Sequence, residues 1–390
     1  MFPIRLSCAI GLSPRDAVPG ALPGPHGVRG EDPLAAGRRQ KESKAVASLA
    51  LTSHSTGQAL RRYWQACCVA GGVLLFGCLL YLVEKYWWQP AARFVENPAD
   101  VTMRAFGLSH FLVGWLFLLT SPRCWTRAGV IRLASGLLAG TVLCAVYASL
   151  GGMKNPLLVL LFYSYFLAHE VRDELMLYRR YEPSSAQDSA ALDAFARVTT
   201  CFLVLILAAT LLSRALIVSP ERWLEKVDGR LAALIGAVLA LATVSSTVRF
   251  VKAVSSERQR VGPRIRAFLH THRALCIVYG CTLLLLATGL LAGSNGLNLV
   301  ILIHVSAWLV FVNATLNQQA KSATGLWQYV RTTGPGFVVL HLSVFLAVLT
   351  ILALRVYVWQ RVGLVSQVFA TCNFCYWGIM HITIAFATSR

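Results

Sequence analysis

The feature that most constrains this chain is a series of about ten apolar segments, each close to the roughly 20 residues that a helix needs to cross about 30 Å of hydrocarbon. The segments lie at residues 64–83, 103–120, 130–150, 156–177, 197–218, 231–250, 275–293, 297–315, 336–357 and 365–386. Inside a bilayer every backbone amide must be bonded within its own segment, so such segments are helices. We therefore predict an all-α integral membrane protein, a bundle of about ten transmembrane helices within residues 59–390.

The composition agrees with this class of protein. Charged residues make up 14% of the chain, whereas a soluble domain carries about 25%. Residues 1–58 are rich in Gly, Pro, Ala and Arg without helical periodicity, which is typical of a disordered basic tail. Residues 1–12 make a poor signal peptide, so we expect the first span to direct insertion.

The net charge of +19 is distributed in a way that indicates membrane topology. Lys and Arg lie in the connections between apolar segments, most densely in the connection 251–273, while the turns 151–155 and 293–296 hold one lysine between them. The positive-inside rule then places both termini in the cytoplasm of a multi-pass protein of the cell (inner) membrane. Membrane lipids are the expected partners of these charges, and no separate basic domain indicates nucleic acid.

A parallel internal repeat is a further hypothesis. Three pairs of segments six spans apart resemble each other: 67–75 with 276–284, 110–115 with 304–308, and 162–169 with 374–381. An offset of six spans gives both copies the same orientation, so the axis relating them would follow the membrane normal. The arrangement would be a 4+2+4 bundle.

The fourth span carries a cluster of groups that could hold a metal ion. His169, Glu170, Asp173 and Glu174 fall within about 140° of helical arc, near the cytoplasmic end of the span. Intramembrane charges usually face a bundle interior, and imidazole with carboxylate suits zinc or iron. The alternative is that the hydrocarbon ends at Ala168 and these are interfacial charges.

Further histidines lie in other spans. Counting along the helices puts His110 and His304 about 10 Å below the outer face, and His169 and His381 about 20–24 Å down. Two levels of paired histidines would suit haem, with His110 and His304 binding the cofactor and Gly114 leaving room for a flat ring.

The metal alternative gathers these residues into one inner centre. Its metal ligands would be His169, Asp173, His381 and His341, with Glu170 or Glu174 as catalytic general base and Tyr165 lining the entrance.

The connections hold neither a phosphate-binding glycine loop nor a nucleophile elbow, so any chemistry belongs in or at the membrane. The leading hypothesis is a membrane-embedded metal-dependent enzyme, an oxidoreductase or lipid-modifying enzyme, acting on a hydrophobic or lipid-like substrate near the cytoplasmic leaflet. The alternatives are a haem-b electron-transfer protein, a proton-coupled secondary transporter, and a non-catalytic scaffold subunit.

Overall fold

The computed structural model describes residues 72, 75, 76, 79, 98–181, 186–212, 227–255, 261–292, 301, 304–306, 308, 325–354 and 373–388. Within these residues 94% of the structure is helical and no strand occurs, as the apolar segments predict. The N-terminal tail (1–58), most of the first and eighth predicted spans, and the turn 293–296 lie outside the described residues.

Ten helices have defined bounds among the described residues. They are α1 (Pro98–Leu119), α2 (Arg127–Ser149), α3 (Pro156–Tyr181), α4 (Ala186–Leu212), α5 (Gly229–Val254), α6 (Val261–Thr271), α7 (Arg273–Ala292), α8 (Leu326–Thr332), α9 (Gly334–Leu354) and α10 (Phe374–Thr388). Residues 301, 304–306 and 308 are also helical, and we call them the 301–308 segment.

Local capping chemistry explains where several helices begin. The prolines at 98 and 156 each open a helix, as the Asn-Pro pairs predict. Asn155 Oδ1 accepts a hydrogen bond from the Leu157 amide at 3.0 Å. Thr126 and Asp228 cap α2 and α5 in the same way. These caps make the helix starts a consequence of local sequence.

Membrane-spanning character is clear for part of the bundle. Five helices are long and apolar enough to cross a membrane, namely α1, α2, α4, α5 and α9, and a sixth crossing is counted if α6 and α7 form one bent span. α6 and α7 meet at 87°. The helix α3 falls outside this set because its second half carries charged residues, including Glu170, Asp173 and Glu174.

A close helix pair positions the last helix of the chain. Gly136 and Gly140 on α2 face α10, and an added Cβ at Gly140 would lie 2.7 Å from Met380 Sδ. This spacing is the Gly-x-x-x-Gly pattern that lets two membrane helices approach closely. On its other side α10 approaches α3, where a Cβ at Gly378 would lie 3.1 Å from the Phe162 ring. Small residues thus hold α10 between α2 and α3.

Candidate metal site in the helix bundle

Four histidines from four separate helical segments form a closed ring inside the bundle, which we call the histidine ring: His110 of α1, His169 of α3, His304 of the 301–308 segment and His381 of α10. Neighbouring imidazole centroids lie 5.0 Å apart for His110 and His304, and 5.4 Å for His304 and His169. The circuit closes at 5.3 Å from His169 to His381 and at 5.2 Å from His381 to His110. No member is more than 8% exposed.

One carboxylate joins the histidine ring. Asp173 Oδ2 lies 3.4 Å from His169 Nε2, one helical turn away on α3. One ligand atom each from His169, Asp173 and His304 can be chosen so that all three lie within 4.8 Å of one another. Ligand atoms on one tetrahedral ion, with bonds of about 2 Å, lie about 3.3 Å apart, so these three groups would have to move closer together to hold an ion.

Most of the ring nitrogens are buried without a hydrogen-bond partner. Within the part of the chain that the structure describes, both nitrogens of His169, both of His304, and Nδ1 of His110 and of His381 are buried without a hydrogen-bond partner. Buried polar groups in proteins are almost always bonded, and each orphan needs an explanation. A bound cation would account for several of them at once.

The spacing of the rings fits ligation of one ion better than axial ligation of haem. Two imidazoles on one tetrahedral ion, with bonds of about 2.0–2.1 Å, have centroids about 5 Å apart. Axial ligands on opposite faces of a macrocycle need about 6 Å and an empty plane between them. His110 and His304 are 5.0 Å apart at an interplanar angle of 88°. The separation of His110 and His304 is therefore shorter than a macrocycle between these two rings would require.

The separation of about 10 Å inferred between the two pairs of histidines does not appear in the structure. His110 lies against His381 and His304 against His169, at the distances given above, rather than on levels about 10 Å apart. The inference was wrong because counting residues from a presumed membrane face assumes upright helices with matched ends. Tilt and stagger between helices decide which residues meet, and neither follows from a residue count.

Gly114, expected to leave room for a haem ring, lies beside the His381 imidazole. An added Cβ at Gly114 would lie 3.4 Å from His381 Cε1. Trp115, the next residue, stacks on Trp377 at 5.4 Å. A glycine and an aromatic pair therefore set the position of the His381 imidazole against α1.

His341 lies beside the histidine ring but across a tryptophan. Its imidazole is 5.0 Å from the Trp308 ring, which in turn is 4.9 Å from His110. His341 is buried, and in the described residues neither of its nitrogens has a hydrogen-bond partner. Trp308 contacts both His341 and His110, and His341 is not part of the group formed by His169, Asp173 and His304.

The four candidate groups of α3 divide between two neighbours of that helix. His169 and Asp173 point to the histidine ring, whereas Glu170 Oε1 accepts a hydrogen bond from Thr282 of α7 at 3.0 Å. Glu170 and Glu174 have no exposed surface, which does not fit solvated charges at a helix end. The general-base role for these glutamates stays a prediction, because the contact shown is with α7.

Tyr165, expected at the entrance, contributes to a cover over His169. Its hydroxyl lies 3.2 Å from Thr383 Oγ1, and its ring lies 5.4 Å from that of Phe386. The Phe386 ring is 5.9 Å from the His169 imidazole and carries the Arg172 guanidinium 4.5 Å above it. A hydrophobic substrate that reached His169 from this side would pass these groups.

Several residues that shape this region gave little or no signal in the sequence. Thr282 and Tyr279 look like ordinary polar residues of an apolar span until the fold places them against α3. Gly136 and Gly140 did carry a detectable signal, the Gly-x-x-x-Gly spacing. His272, which lies in a basic connection, is buried at the α6–α7 bend and bonds the Tyr178 hydroxyl at 3.0 Å.

Comparison with known proteins gives no relative for this arrangement: no family model matches the chain, and neither a curated protein nor a solved structure is significantly similar to it.

Proposed function

We propose that this chain is a membrane-embedded metal-dependent enzyme whose ion is held by His169, Asp173 and His304, with His110 and His381 as the neighbouring imidazoles. The observation that carries the proposal is the closed ring of buried imidazoles, in which six of the eight nitrogens lack a hydrogen-bond partner among the described residues. Each of four helical segments contributes a polar side chain to the ring. Burying polar side chains among membrane helices costs free energy, so packing alone does not account for the arrangement.

The ligand chemistry supports two reaction classes. Two histidines and one carboxylate form the set that binds non-haem Fe(II) in oxygenases, and a similar set binds catalytic zinc. Iron would favour an oxidoreductase, whereas zinc would favour a lipid-modifying enzyme that activates water. In both cases a site enclosed by apolar helices suits a hydrophobic or lipid-like substrate.

The direct test is metal analysis of the protein purified in detergent without added metal. We expect about one iron or zinc per chain in the wild type and a loss of at least tenfold in His169→Ala, His304→Ala and Asp173→Asn. Removing a ligand removes both a bond and the fixed geometry on which affinity depends.

His341→Ala is the matched control, since it removes a buried imidazole that lies outside the proposed ligand group. It should keep the metal. Thermal unfolding of every variant shows whether a loss of metal is a loss of fold. A wild-type protein that is free of metal and still active on a lipid substrate would refute the proposal, as would equal metal content in all variants.

We also propose that the bundle has about ten spans with both termini in the cytoplasm. The basic connection between α5 and α7 supports this orientation, since α6 meets α7 at 87° and carries Arg264 and Arg266. A short basic helix at right angles to a span is typical of one that lies at the cytoplasmic interface. Reporter fusions that placed residues 251–273 outside the cytoplasm would overturn this orientation.

The parallel repeat is part of this proposal and draws support from the histidine ring. A two-fold axis that exchanges His110 with His304 and His169 with His381 maps the edge His110–His381 onto the edge His304–His169. These two edges measure 5.2 and 5.4 Å, with interplanar angles of 63° and 53°. An axis along the membrane normal would pass between the members of each exchanged pair.

A secondary transporter is the second candidate, and a different observation favours it. Glu170 and Glu174 are fully buried carboxylates in a membrane bundle, a feature of ion-coupled carriers. The test is proton-coupled uptake into proteoliposomes by protein that holds no iron or zinc. Uptake that is abolished in Glu174→Gln would favour a transporter over the enzyme.

A further inference from the structure

Glu170 and Glu174 form a second group of unsatisfied polar atoms, on the face of α3 that is turned toward α7. Both side chains are 0% exposed. In the described part of the chain, Oε2 of Glu170 and both oxygens of Glu174 are buried with no hydrogen-bond partner. Two ionised carboxylates one helical turn apart in a protein interior repel each other and lose their hydration, so the pair is stable there only if it takes up protons or gains a counter-charge.

The opposite wall of this group is supplied by α7. The Thr282 hydroxyl lies 3.0 Å from Glu170 Oε1 and 3.1 Å from the Val278 carbonyl oxygen of its own helix. Its single proton can be donated to either acceptor, and with a cation bound beside the carboxylates it would be donated to Val278, which leaves the hydroxyl oxygen to face the cation. Tyr279, on the same helix, donates to the Val171 carbonyl at 2.8 Å and ties α7 to α3 at this level.

The basic side chains nearest along α3 are engaged elsewhere. Arg179 bonds Asp193 Oδ1 at 3.0 Å and the Ser189 carbonyl at 2.6 Å, both on α4. Arg172 lies over the Phe386 ring, on the α10 side of α3. The ion pairs His169–Asp173 and Arg179–Asp193 include neither glutamate. A counter-charge for the two glutamates would therefore come from outside these contacts.

We propose that Glu170, Glu174 and Thr282 form a second cation site, separate from the histidine ring, that binds a divalent ion of the Mg²⁺, Mn²⁺ or Ca²⁺ class. One divalent ion neutralises the two carboxylates. The ligand atoms are all oxygens, which these hard cations prefer, whereas the imidazoles of the ring prefer iron or zinc. The ion joins α3 to α7 and does not depend on the proposed enzyme activity.

The first experiment measures thermal unfolding of the full chain in lipid nanodiscs after treatment with a chelator. Addition of Mg²⁺, Mn²⁺ or Ca²⁺ should raise the Tm in a saturable way, because an ion that binds only the folded state stabilises it by mass action. The rise should disappear in Glu170→Gln and Glu174→Gln and weaken in Thr282→Val. It should persist in His169→Ala, which alters the ring, and in Asp188→Asn, which alters an exposed carboxylate of α4.

The second experiment needs no variant and so does not depend on how the variants fold. Dicyclohexylcarbodiimide labels buried carboxyl groups that carry a proton, and mass spectrometry locates the adduct. In the chelated wild type Glu170 or Glu174 should be labelled, and the effective divalent ion should reduce that labelling at least tenfold.

Labelling unchanged by all three ions, or a Tm unmoved by them, would overturn the proposal and indicate a pair neutralised by a proton. A Tm rise of equal size in Glu174→Gln would overturn it by placing the ion elsewhere. The iron and zinc content of the same preparations reports on the histidine ring, so failure of one site is distinguishable from failure of the other.

Discussion

The helices α3 and α5 have the same length, 26 residues, but differ in the polarity and burial of their side chains. α5 is among the helices apolar enough to cross a membrane, and three of its four leucines are exposed, with Leu234 61% and Leu241 71% exposed. α3 fails that test because of its charges, yet His169 and Glu174 are among the most buried residues of the described structure. In this bundle, the more polar helix is the one surrounded by protein.

The difference between α3 and α5 follows from what surrounds each helix, protein or lipid. In lipid there is no gain from hiding leucine, so apolar side chains can face outward at no cost. A carboxylate or imidazole facing lipid would cost several kcal/mol, so the helix that carries such groups needs neighbours on all of its polar faces. α3 has them in α4, α7 and α10. Hydropathy therefore marks the periphery of this protein and polarity marks its centre.

The largest effect expected from this contrast is a leucine deletion at the centre. Leu167→Ala in α3, where the side chain is 1% exposed, should lower the free energy of unfolding by about 2 kcal/mol, the low end for buried leucines. In lipid the loss comes mainly from the cavity, because burying a leucine away from lipid gains little. Leu241→Ala in α5 should cost under about 0.5 kcal/mol because its side chain leaves no cavity. Denaturant unfolding in mixed micelles measures both. Equal losses would show that α5 is packed against protein in the membrane.

A glycine pair gives the next largest effect. Gly378→Ala in α10 pushes a methyl group toward Phe162 of α3, at 3.1 Å, and should destabilise by about 1 kcal/mol through overpacking. Gly236→Ala in α5 meets no atom within 4 Å and should be neutral or slightly stabilising. Unfolding free energies test the pair, and metal content tests whether α10 still delivers His381. A neutral Gly378→Ala would mean that α10 is free to shift away from α3.

The smallest expected effect on stability is the difference between the substitutions of two threonines. Thr282→Val removes the interhelical hydrogen bond to Glu170 and should cost about 0.6 kcal/mol, the average for such bonds in membranes. The hydroxyl of Thr247 in α5 bonds only the Thr243 carbonyl one turn back, so Thr247→Val should be close to neutral. Unfolding under chelating conditions keeps the cation site out of this comparison. A larger loss in Thr247→Val would contradict the assignment of α5 to the periphery.

Most of the helical architecture was accessible from the sequence. α1 and α3 begin at Pro98 and Pro156, each of which follows an asparagine in the sequence, and a proline at the first helical position is a signal that adjacent residues carry. The predicted segments 130–150, 231–250 and 336–357 lie close to α2, α5 and α9. What hydropathy did not show is the division of 261–292 into α6 and α7, where His272 and Tyr178 bond at an 87° bend. That bend depends on a partner 94 residues away.

The residues of the candidate site could be predicted from the sequence, but their spatial arrangement could not. The sequence singled out His110, His169, His304 and His381, since a polar residue in an apolar span stands out against its neighbours. It placed them on two levels, whereas the structure joins them in one ring. It also grouped Glu170 with His169, because 100° per residue keeps them within one broad face. Only the positions of α7 and α10 separate the two.

The sequence by itself determined the class of the protein, the approximate extent of its helices and the identity of the groups too costly to leave in lipid, because each follows from local composition and helical periodicity. The tertiary structure alone decided that four imidazoles meet, that Asp173 joins them and that Glu170 turns to Thr282. Those contacts depend on the tilt, stagger and close approach of helices far apart in the chain, and the packing of Gly136, Gly140 and Gly378 fixes that approach.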